Sequence, residues 1–452
     1  GDLGLDDGRD ARGVTLSADV IRGTNSKNVL KGTNAKGIRL DGLIVSGGDG
    51  QGGGLEISKS DVVIENCLFQ GNKGTNGAAI YALVSSLDIR DSHFLENRST
   101  GSWGGSINTA RTEVKLFRSR FEGNAVGSGQ SGNGGGISFQ SNQKPGAAVL
   151  TIESCRFLNN YAGGGGGAVY AGRTPDGITI RRSLFKDNKT SHNGGALRLL
   201  QATNILVEDC LFTGNSTVIE GGALYNSEVG SGDRGMTIRS CTFSGNRTHA
   251  DAHVTDVNKG SGGAVYNGVS SPVLVNCTFT GNEAKYGGAL FNRTGSYPLL
   301  LNCTFLGNKA VPQQGQGGEG SSVYNSKCKT GGCKPGGGRI VAFNSIFWDD
   351  GAEEIVSNGD SGAALYRSIV REMAVRGGEV ALLDVTSDDP RLSPLGNHGG
   401  PVPTCLPAWT SPARDRGRRV GALTSADVLS ADVFWRGWAE CAIPAADARG
   451  VA

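Results

Sequence analysis

The sequence is poor in several features that mark common classes of protein. Only two of its 452 residues are methionine, aromatic residues make up 6% of it, and no stretch of 18 apolar residues occurs. Because a membrane-spanning helix needs about 20 consecutive apolar residues, we expect no transmembrane segment. The formal net charge is only +2, with lysine and arginine scattered along the chain, so we expect no nucleic-acid partner. The opening residues 1–4 lack the regions of a secretion signal, so such a signal was removed or lies upstream.

Glycine, in contrast, is abundant. The chain has 74 glycines but no Gly-X-Y period, which excludes collagen. Its hydrophobic content of 37% is too high for a disordered glycine-rich tract. A glycine-rich chain that still has a hydrophobic core is typical of many short strands joined by tight turns.

A Phe-x-x-Asn unit is the clearest internal repeat. Successive copies begin 25 to 36 residues apart, so we interpret the shortest spacing as one structural coil and the excess as loop. The nine copies are Phe69–Asn72, Phe94–Asn97, Phe121–Asn124, Phe157–Asn160, Phe185–Asn188, Phe212–Asn215, Phe243–Asn246, Phe279–Asn282 and Phe305–Asn308.

Two further units accompany these copies. A Gly-Gly-Ala-aliphatic segment follows the asparagine and often ends in tyrosine or phenylalanine, as in Gly166–Tyr170 and Gly221–Asn226. A strand precedes the phenylalanine and has an aliphatic residue three positions before a cysteine or serine, as in Ile64–Cys67. Strict alternation would place that aliphatic residue and the cysteine on opposite faces. We therefore predict a corner between them that turns both side chains inward.

The repeat predicts an all-β fold, a right-handed parallel β-helix (solenoid). We expect about 10–12 coils over residues 1–385 and a small irregular C-terminal cap over residues 386–452. A coil of about 25 residues cannot bury its apolar side alone, but stacked copies can. The phenylalanines supply the apolar stack, and the paired glycines permit positive φ and close backbone approach. We expect the asparagines to adopt the left-handed corner conformation and to hydrogen-bond up the stack.

The ten cysteines form two groups. Six share one repeat position, which is serine in other coils (Ser92, Ser119, Ser183 and Ser345): they are Cys67, Cys155, Cys210, Cys241, Cys277 and Cys303. A position that accepts Cys or Ser needs a small buried side chain, and adjacent strands stand too far apart for a relaxed disulfide, so we expect buried thiols. Four cysteines lie outside the repeat. We predict Cys328–Cys333 and Cys405–Cys441 disulfides, with a four-cysteine zinc site as the alternative.

The repeat units resemble those of polymorphic outer-membrane proteins and related bacterial surface β-helix proteins. The tail narrows the resemblance, because Asp389–Thr404, Leu406–Pro407 and Asp447–Val451 are similar to segments of the choice-of-anchor Q domain. Arg414 departs from that pattern, since the family usually has an aliphatic residue there, and so does the insertion Thr424–Trp438. The resemblance implies secretion and display on the cell surface. It carries over no catalytic residue.

No motif indicates chemistry. The Gly-His-Gly and Arg-Ile-Lys units of pectin hydrolases do not occur. The aspartates of the pairs 349–350 and 388–389 would point to opposite faces of a strand, unlike the paired carboxylates of glycosidases. The acids of 349–354 could bind a cation, but we interpret them as solvated loop residues, and His249 and His253 have no third ligand. We therefore expect no catalytic residue, no cofactor and no metal.

Two hypotheses of function remain. The first is a secreted or cell-surface structural or adhesive protein that binds a cell-surface or matrix glycan or protein through loops, or self-assembles through its coil ends. The loops would be the insertions 124–136, 141–147, 227–235, 248–262 and 311–320, because loops on a rigid scaffold commonly carry binding. The alternative is a polysaccharide lyase or hydrolase acting on extracellular glycans. A groove of clustered charged residues across adjacent coils would favour the enzyme, and a bare face the structural protein.

Overall fold

The computed structural model describes residues 20–22, 28–127, 131–141, 148–174, 176–229, 235–249, 259–313, 317–327, 336–350, 353–376 and 379–414. Within these ranges the chain forms 49 strands and no helix. The strands stack in parallel into four sheets, three of 13 strands and one of ten. The fold is a right-handed parallel β-helix, as predicted.

The phenylalanine sheet contains the repeat phenylalanines. Its strands are Val20–Arg22, Ile44–Ser46, Leu68–Gln70, His93–Leu95, Arg120–Glu122, Arg156–Leu158, Leu184–Lys186, Leu211–Thr213, Thr242–Ser244, Thr278–Thr280, Thr304–Leu306, Ile346–Trp348 and Ile369–Val370. The short sheet follows the asparagines. Its strands are Asp49–Gly50, Lys73–Asn76, Arg98–Trp103, Ala125–Val126, Tyr161–Ala162, Lys189–Thr190, Ser216–Thr217, Arg247–Thr248, Glu283–Ala284 and Lys309–Ala310.

The glycine sheet follows the Gly-Gly-Ala units. Its strands are Leu30–Thr33, Leu55–Ser58, Ile80–Leu83, Ile107–Ala110, Ile137–Gln140, Val169–Gly172, Leu197–Leu200, Leu224–Ser227, Val265–Gly268, Leu290–Asn292, Val323–Asn325, Ile355–Asn358 and Met373–Arg376. The aliphatic sheet completes each coil. Its strands are Ile38–Asp41, Asp61–Glu65, Ser86–Arg90, Glu113–Phe117, Leu150–Glu153, Ile178–Arg181, Ile205–Glu208, Met236–Arg239, Val273–Val275, Leu299–Leu301, Arg339–Phe343, Gly362–Tyr366 and Glu379–Leu383.

The number of coils differs from the prediction. Each long sheet has 13 strands, which is more than the 10–12 coils that the repeats indicate. The additional coils lie at the ends, where Val45 pairs with Phe69 and Val370 pairs with Phe347. Since valine replaces phenylalanine in these coils, the repeat unit does not reveal them.

Corners in the left-handed conformation separate the sheets. The residue before each Cys or Ser of the repeat has a positive φ, for example Asn66 at 52° and Asp91 at 45°, which confirms the predicted corner. At the next corner the positive φ belongs to the residue before the repeat asparagine, such as Gly71 at 61° and Glu96 at 52°. The expectation that the asparagines themselves adopt this conformation was therefore wrong. The preceding residue makes the turn, and the asparagine that follows it is buried.

The two glycines of the Gly-Gly-Ala unit have separate roles. Gly166 has a φ of +66°, which L side chains rarely adopt. A Cβ on Gly167 would lie 2.1 Å from the carbonyl oxygen of Gly195 in the next coil. The first glycine thus makes the turn, and the second permits the close approach of neighbouring coils, as predicted.

The core consists of side-chain columns parallel to the rod axis. Ten phenylalanines of the phenylalanine sheet, from Phe69 to Phe347, are completely buried, and their rings in adjacent coils stack with centroids 4.6–5.1 Å apart. Isoleucine, leucine and valine columns of the glycine and aliphatic sheets pack beside them. Because each coil buries its apolar face only against its neighbours, stability accumulates along the stack.

The described part of the tail folds back along the side of the rod. Bridges between Leu392 and Pro407 and between Gly396 and Thr404 form an antiparallel hairpin. Near its tip, Val402 packs against Leu184 in the phenylalanine sheet. The described tail residues therefore lie against the flank of the rod. For these residues the expectation of a cap over the end of the rod was wrong. The outward residues of the phenylalanine sheet instead supply an apolar surface on which the hairpin packs.

Candidate functional site

The nine predicted asparagines form one completely buried column. Asn215 shows the pattern: its Nδ2 donates to Oδ1 of Asn246 and to the carbonyl oxygen of Phe185, both at 2.9 Å, while its Oδ1 accepts from Nδ2 of Asn188 at 3.0 Å. The same hydrogen bonds recur along the column. The amides therefore join neighbouring coils and offer no group to a ligand.

The cysteines of the repeat form a second buried column with serines. The seven cysteines of the described residues have free thiols: Cys67, Cys155, Cys210, Cys241, Cys277, Cys303 and Cys405. Each repeat thiol donates to the carbonyl two residues earlier, as Cys241 does to Arg239 at 3.2 Å. Where serine replaces cysteine, its Oγ makes the same bond, as Ser92 does to Arg90 at 2.7 Å. Burial raises the pKa of the Cys155 thiol to about 12, so this thiol is a neutral packing group.

The predicted disulfides receive no support from the described residues. Cys405 is buried with a free thiol, and its predicted partner Cys441 lies outside the described residues. Cys328 and Cys333 also lie outside them, so that pairing stays a prediction. Burial raises the pKa of the Cys405 thiol to about 11.

The two ends of the acidic segment 349–354 are buried, so their interpretation as solvated loop acids was wrong. Asp349 occupies the column position that follows Asn308, and its Oδ2 accepts a hydrogen bond from Ser322. Burial raises its pKa to about 6. Glu354 accepts from the backbone N–H of Glu372, and burial raises its pKa to about 7. Residues 351 and 352 lie outside the described residues.

Metal ligands do not cluster in the described ranges, where no group of three or more His, Cys, Asp or Glu side chains could hold a metal ion. His249 is described, but His253 of the same insertion is not. The insertions proposed as binding loops are also described only in part. Three of them, 124–136, 248–262 and 311–320, connect the short sheet to the glycine sheet.

A groove, the outer groove, runs along the rod beside these three insertions. The groove has two rows of residues. The floor row consists of outward side chains of the glycine sheet. The wall row consists of the residues just before each Gly-Gly turn, which are joined from coil to coil by isolated parallel bridges. The floor row contains Tyr170, Arg198, Tyr225, Tyr266, Phe291 and Tyr324. The wall row contains Trp103, Asn133, Gly165, Asn193, Glu220, Ser261, Tyr286 and Glu319. At a strand spacing of about 4.8 Å, the wall row spans about 34 Å.

Floor and wall residues contact each other across the turn. The Trp103 ring lies 5.5 Å from that of Tyr170, and the Tyr286 ring 5.0 Å from that of Tyr324, both tilted by 48°. Tyr225 stacks with Tyr266 at 5.1 Å and 9°. Stacked rings cover each other's faces, and Tyr266 is only 2% exposed. The tilted rings of Trp103 and Tyr286 are not stacked in this way, although Nζ of Lys285 lies 5.3 Å from the centre of the Tyr286 ring.

Arg198 interrupts the aromatic floor. Its guanidinium carbon lies 5.8 Å from the ring centres of both Tyr170 and Tyr225, a distance typical of cation–π contacts. One guanidinium nitrogen donates to Oδ1 of Asn133 at 2.9 Å and to the carbonyl of Gly164 at 3.2 Å. These contacts fix the cation in the groove.

The floor row could have been found from the sequence, because its residues occupy one position of the Gly-Gly-Ala unit. We interpreted that position only as part of the scaffold. In Gly-Gly-Ala-Val-Tyr the valine is buried, so the residue after it must point outward on a strand. Tyr170 and Tyr225 occupy that position, and Arg198 does so in Gly194–Arg198. The wall row follows from no linear motif, because its members share only a place before the turn.

Comparison with known proteins agrees with this architecture. The family described as right handed beta helix region matches residues 8–189 and 107–369. The chain belongs to this family. The probable autotransporter YfaL of Escherichia coli (strain K12) is 25% identical to this chain over 280 residues, which are 58% of the chain. The match covers only 21% of that relative's length.

Two solved structures resemble this chain at low TM-scores. One is a mannuronic acid specific polysaccharide family 6 lyase from human gut microbiota, at 11% identity and a TM-score of 0.32, covering 81% of this chain and 77% of that one. The other is tailspike protein 3 of bacteriophage CBA120, at 11% identity and a TM-score of 0.24, covering 82% of this chain and 57% of that one. In the residues described, no helix could span a membrane.

Proposed function

We propose that this chain is part of a secreted or surface-displayed β-helix protein that binds an extended glycan along the outer groove. One observation carries the proposal: aromatic and polar side chains occupy corresponding outward positions in successive coils of a rigid stack. A repeating site of this kind suits a repeating ligand, because each coil can offer the same contact to successive units of a linear polymer.

The chemistry of the groove suits carbohydrate. A sugar ring has an apolar face and a rim of hydroxyl groups, and binding sites commonly combine aromatic side chains with a few polar groups that fix orientation. Trp103 and Tyr286 supply tilted aromatic rings, while the half-buried Tyr324 has a hydroxyl group that accepts from Asn358 at 2.7 Å and can still donate to a sugar. Tyrosine and tryptophan suit such a surface because each has an apolar body and a polar tip.

Surface display is supported by the relative and by the tail. The similar E. coli protein is named a probable autotransporter, and the tail resembles the choice-of-anchor Q domain. An adhesive rod that holds its binding face away from the cell would use the long axis of the fold. The lyase or hydrolase alternative would use the same groove, and what separates the two is whether the bound chain is cut.

Glycan-array binding followed by calorimetry tests the proposal. We expect a double variant Trp103→Ala/Tyr286→Ala to weaken the binding of the best array ligand at least about tenfold, equivalent to about 1.4 kcal/mol. The matched control is Thr179→Ala, an outward residue on the aliphatic sheet. If no glycan binds, or if the control weakens binding equally, the groove is not the site.

Product analysis separates adhesion from catalysis. The bound polysaccharide is incubated with the protein, and new reducing ends and unsaturated products are measured. Unchanged chain length with retained binding supports the adhesive role. Chain shortening that the double variant abolishes would establish the enzyme alternative instead.

A further inference from the structure

Arg198 bonds no carboxylate of the described residues. Several other guanidinium groups on the rod do pair with carboxylates of the same or a neighbouring coil, as Arg118 does with Asp91 at 2.6 Å and Arg181 with Glu208 at 3.1 Å. Among the described residues, no carboxylate lies within 4 Å of Arg198, whose hydrogen bonds go to Asn133 and Gly164 instead. The outer groove therefore contains a fixed cation without a described counter-ion.

Unused polar atoms lie around this cation. Within the described part of the chain, Nε of Arg198, Nδ1 of His192 and Oδ1 of Asn193 are buried and make no hydrogen bond. Asn193 is only 4% exposed and belongs to the wall row beside Arg198. Because a buried polar atom without a partner costs about 1–3 kcal/mol, three such atoms in one corner indicate a place where a ligand or water completes the hydrogen bonds. We call His192, Asn193 and Arg198 the arginine corner.

The wall makes room for the cation at one position. A Cβ on Gly165 would lie 2.5 Å from Cδ of Arg198 and 2.8 Å from the carbonyl oxygen of Asn193. Any larger residue at 165 would displace the guanidinium. The absence of a side chain at this wall position therefore allows Arg198 to reach across the groove to Asn133.

Two cationic side chains act on His192 in this corner. Burial, together with Arg198 and Lys259, lowers the pKa of His192 to about 4, so this imidazole is neutral at physiological pH. A neutral imidazole and a carboxamide beside an anchored guanidinium can bind a carboxylate and the hydroxyl groups next to it.

We infer that the glycan bound in the outer groove is acidic and that the arginine corner binds the carboxylate of one of its uronic acid units. This inference rests on the proposed function and narrows its ligand class. Arg198 supplies the charge, and His192 and Asn193 supply hydrogen bonds to hydroxyl groups of the same sugar. Tyr170 and Tyr225 hold the guanidinium from both sides, so little conformational entropy is lost on binding.

Oligogalacturonate and its methyl ester form a matched pair of probes, since they differ only in the charge of the carboxyl group. We expect the acid to bind at least about tenfold more tightly than the ester, with a preference that falls as salt is raised. The variant Arg198→Met should lose this preference, because its affinity for the acid should fall to its affinity for the ester. Arg118→Met, which removes an ion-paired arginine on another face, is the control.

Folding is checked by thermal unfolding of each variant, and Arg198→Lys provides a second variant that retains the charge. We expect Arg198→Lys to keep only part of the preference. Lysine retains the positive charge, but it lacks the planar guanidinium that can hydrogen-bond Asn133 and Gly164 and also face a carboxylate. Equal affinity for acid and ester in the unmodified protein overturns the uronate inference but leaves glycan binding intact. Binding of neither probe, and of no glycan on the array, would instead reject the proposed function itself.

Discussion

Asn308 donates an Nδ2 hydrogen to Oδ1 of Asp349 at 3.0 Å, at the point where the asparagine column of the rod ends in a carboxylate. Each earlier member of the column donates to another asparagine. The substitution of Asp for Asn at this position places an ionisable group in a completely buried site. The ordinary pKa of an aspartate is 3.8, and burial raises that of Asp349 to about 6.

Replacing this carboxylate by an amide should make the protein more stable at neutral pH. Since the folded-state pKa of Asp349 lies above the unfolded-state value, the folded protein binds the proton more tightly. The resulting stabilisation is complete below pH 3.8 and is lost as the pH rises through about 6. Asp349→Asn removes this loss, so we expect it to be more stable than the unmodified protein by up to about 3 kcal/mol at pH 8.

Urea unfolding at pH 4, 6 and 8 checks the prediction. The difference between Asp349→Asn and the unmodified protein should shrink towards pH 4, where the aspartate is protonated in the folded state and about half protonated in the unfolded state. Asp350→Asn removes the adjacent exposed carboxylate and serves as the control. A difference that does not change with pH would show that Asp349 does not titrate as described.

The reverse substitution in the middle of the column should have the opposite effect. In Asn215→Asp, a carboxylate oxygen would face the carbonyl oxygen of Phe185, which now accepts from the amide. A buried acceptor that faces another acceptor must be protonated or left unsatisfied, so we expect a loss of about 3 kcal/mol at neutral pH. Urea unfolding measures the loss. Asn397→Asp, in the exposed tail, should change stability by less than about 0.5 kcal/mol.

The sequence predicted those features of the fold that repeat from coil to coil. Phe69 and Phe94 lie one coil apart in sequence, and their stacking follows because parallel in-register strands place like residues above one another. The corner before Cys67 could also be predicted, since only a turn reconciles the inward direction of Ile64 with that of the cysteine. These inferences needed only the strand period and the repeat length.

What the sequence could not predict depends on contacts between different coils. Arg198 reaches Asn133, two coils away, and no repeat position links the two. Thr242 donates to the carbonyl of Pro403, 161 residues further along the chain, so the docking of the tail on the rod also follows from no local pattern. The ends of the rod escaped the repeat as well, because Val45 stands where other coils have phenylalanine.

The thiol column predicts a specific pattern of chemical reactivity. Because burial raises the pKa of Cys155 to about 12 and that of Cys405 to about 11, and the thiolate is the nucleophile, the seven described cysteines should not react with Ellman's reagent in the folded protein at pH 8. Rapid labelling should be limited to Cys328, Cys333 and Cys441.

The number of fast thiols also tests the remaining disulfide prediction. If Cys328 and Cys333 are bridged, the oxidised folded protein should show no more than one fast thiol, and mild reduction should add two. The total number of thiols is measured for comparison by reducing the protein in urea, removing the reductant and then labelling. Fast reaction of more than three thiols in the folded protein would contradict the buried column. The variant Cys241→Ser should fold normally, because serine occupies this position in other coils.

The tail hairpin should be held on the rod by a small apolar contact that one substitution can break. Val402 packs against Leu184 and Leu211 of the phenylalanine sheet, and all three are at least 92% buried. Burial of a valine contributes about 1.5–3 kcal/mol, and a carboxylate at 402 would have to leave this contact to remain solvated. We therefore expect Val402→Asp to detach the hairpin and to increase its cleavage rate in limited proteolysis at least about tenfold, while circular dichroism of the coils stays unchanged.

Trp409→Asp changes a tail residue just after the hairpin that is 83% exposed and is the matched control. Equal resistance of the two variants would mean that the hairpin is held by the Thr242–Pro403 hydrogen bond rather than by apolar packing.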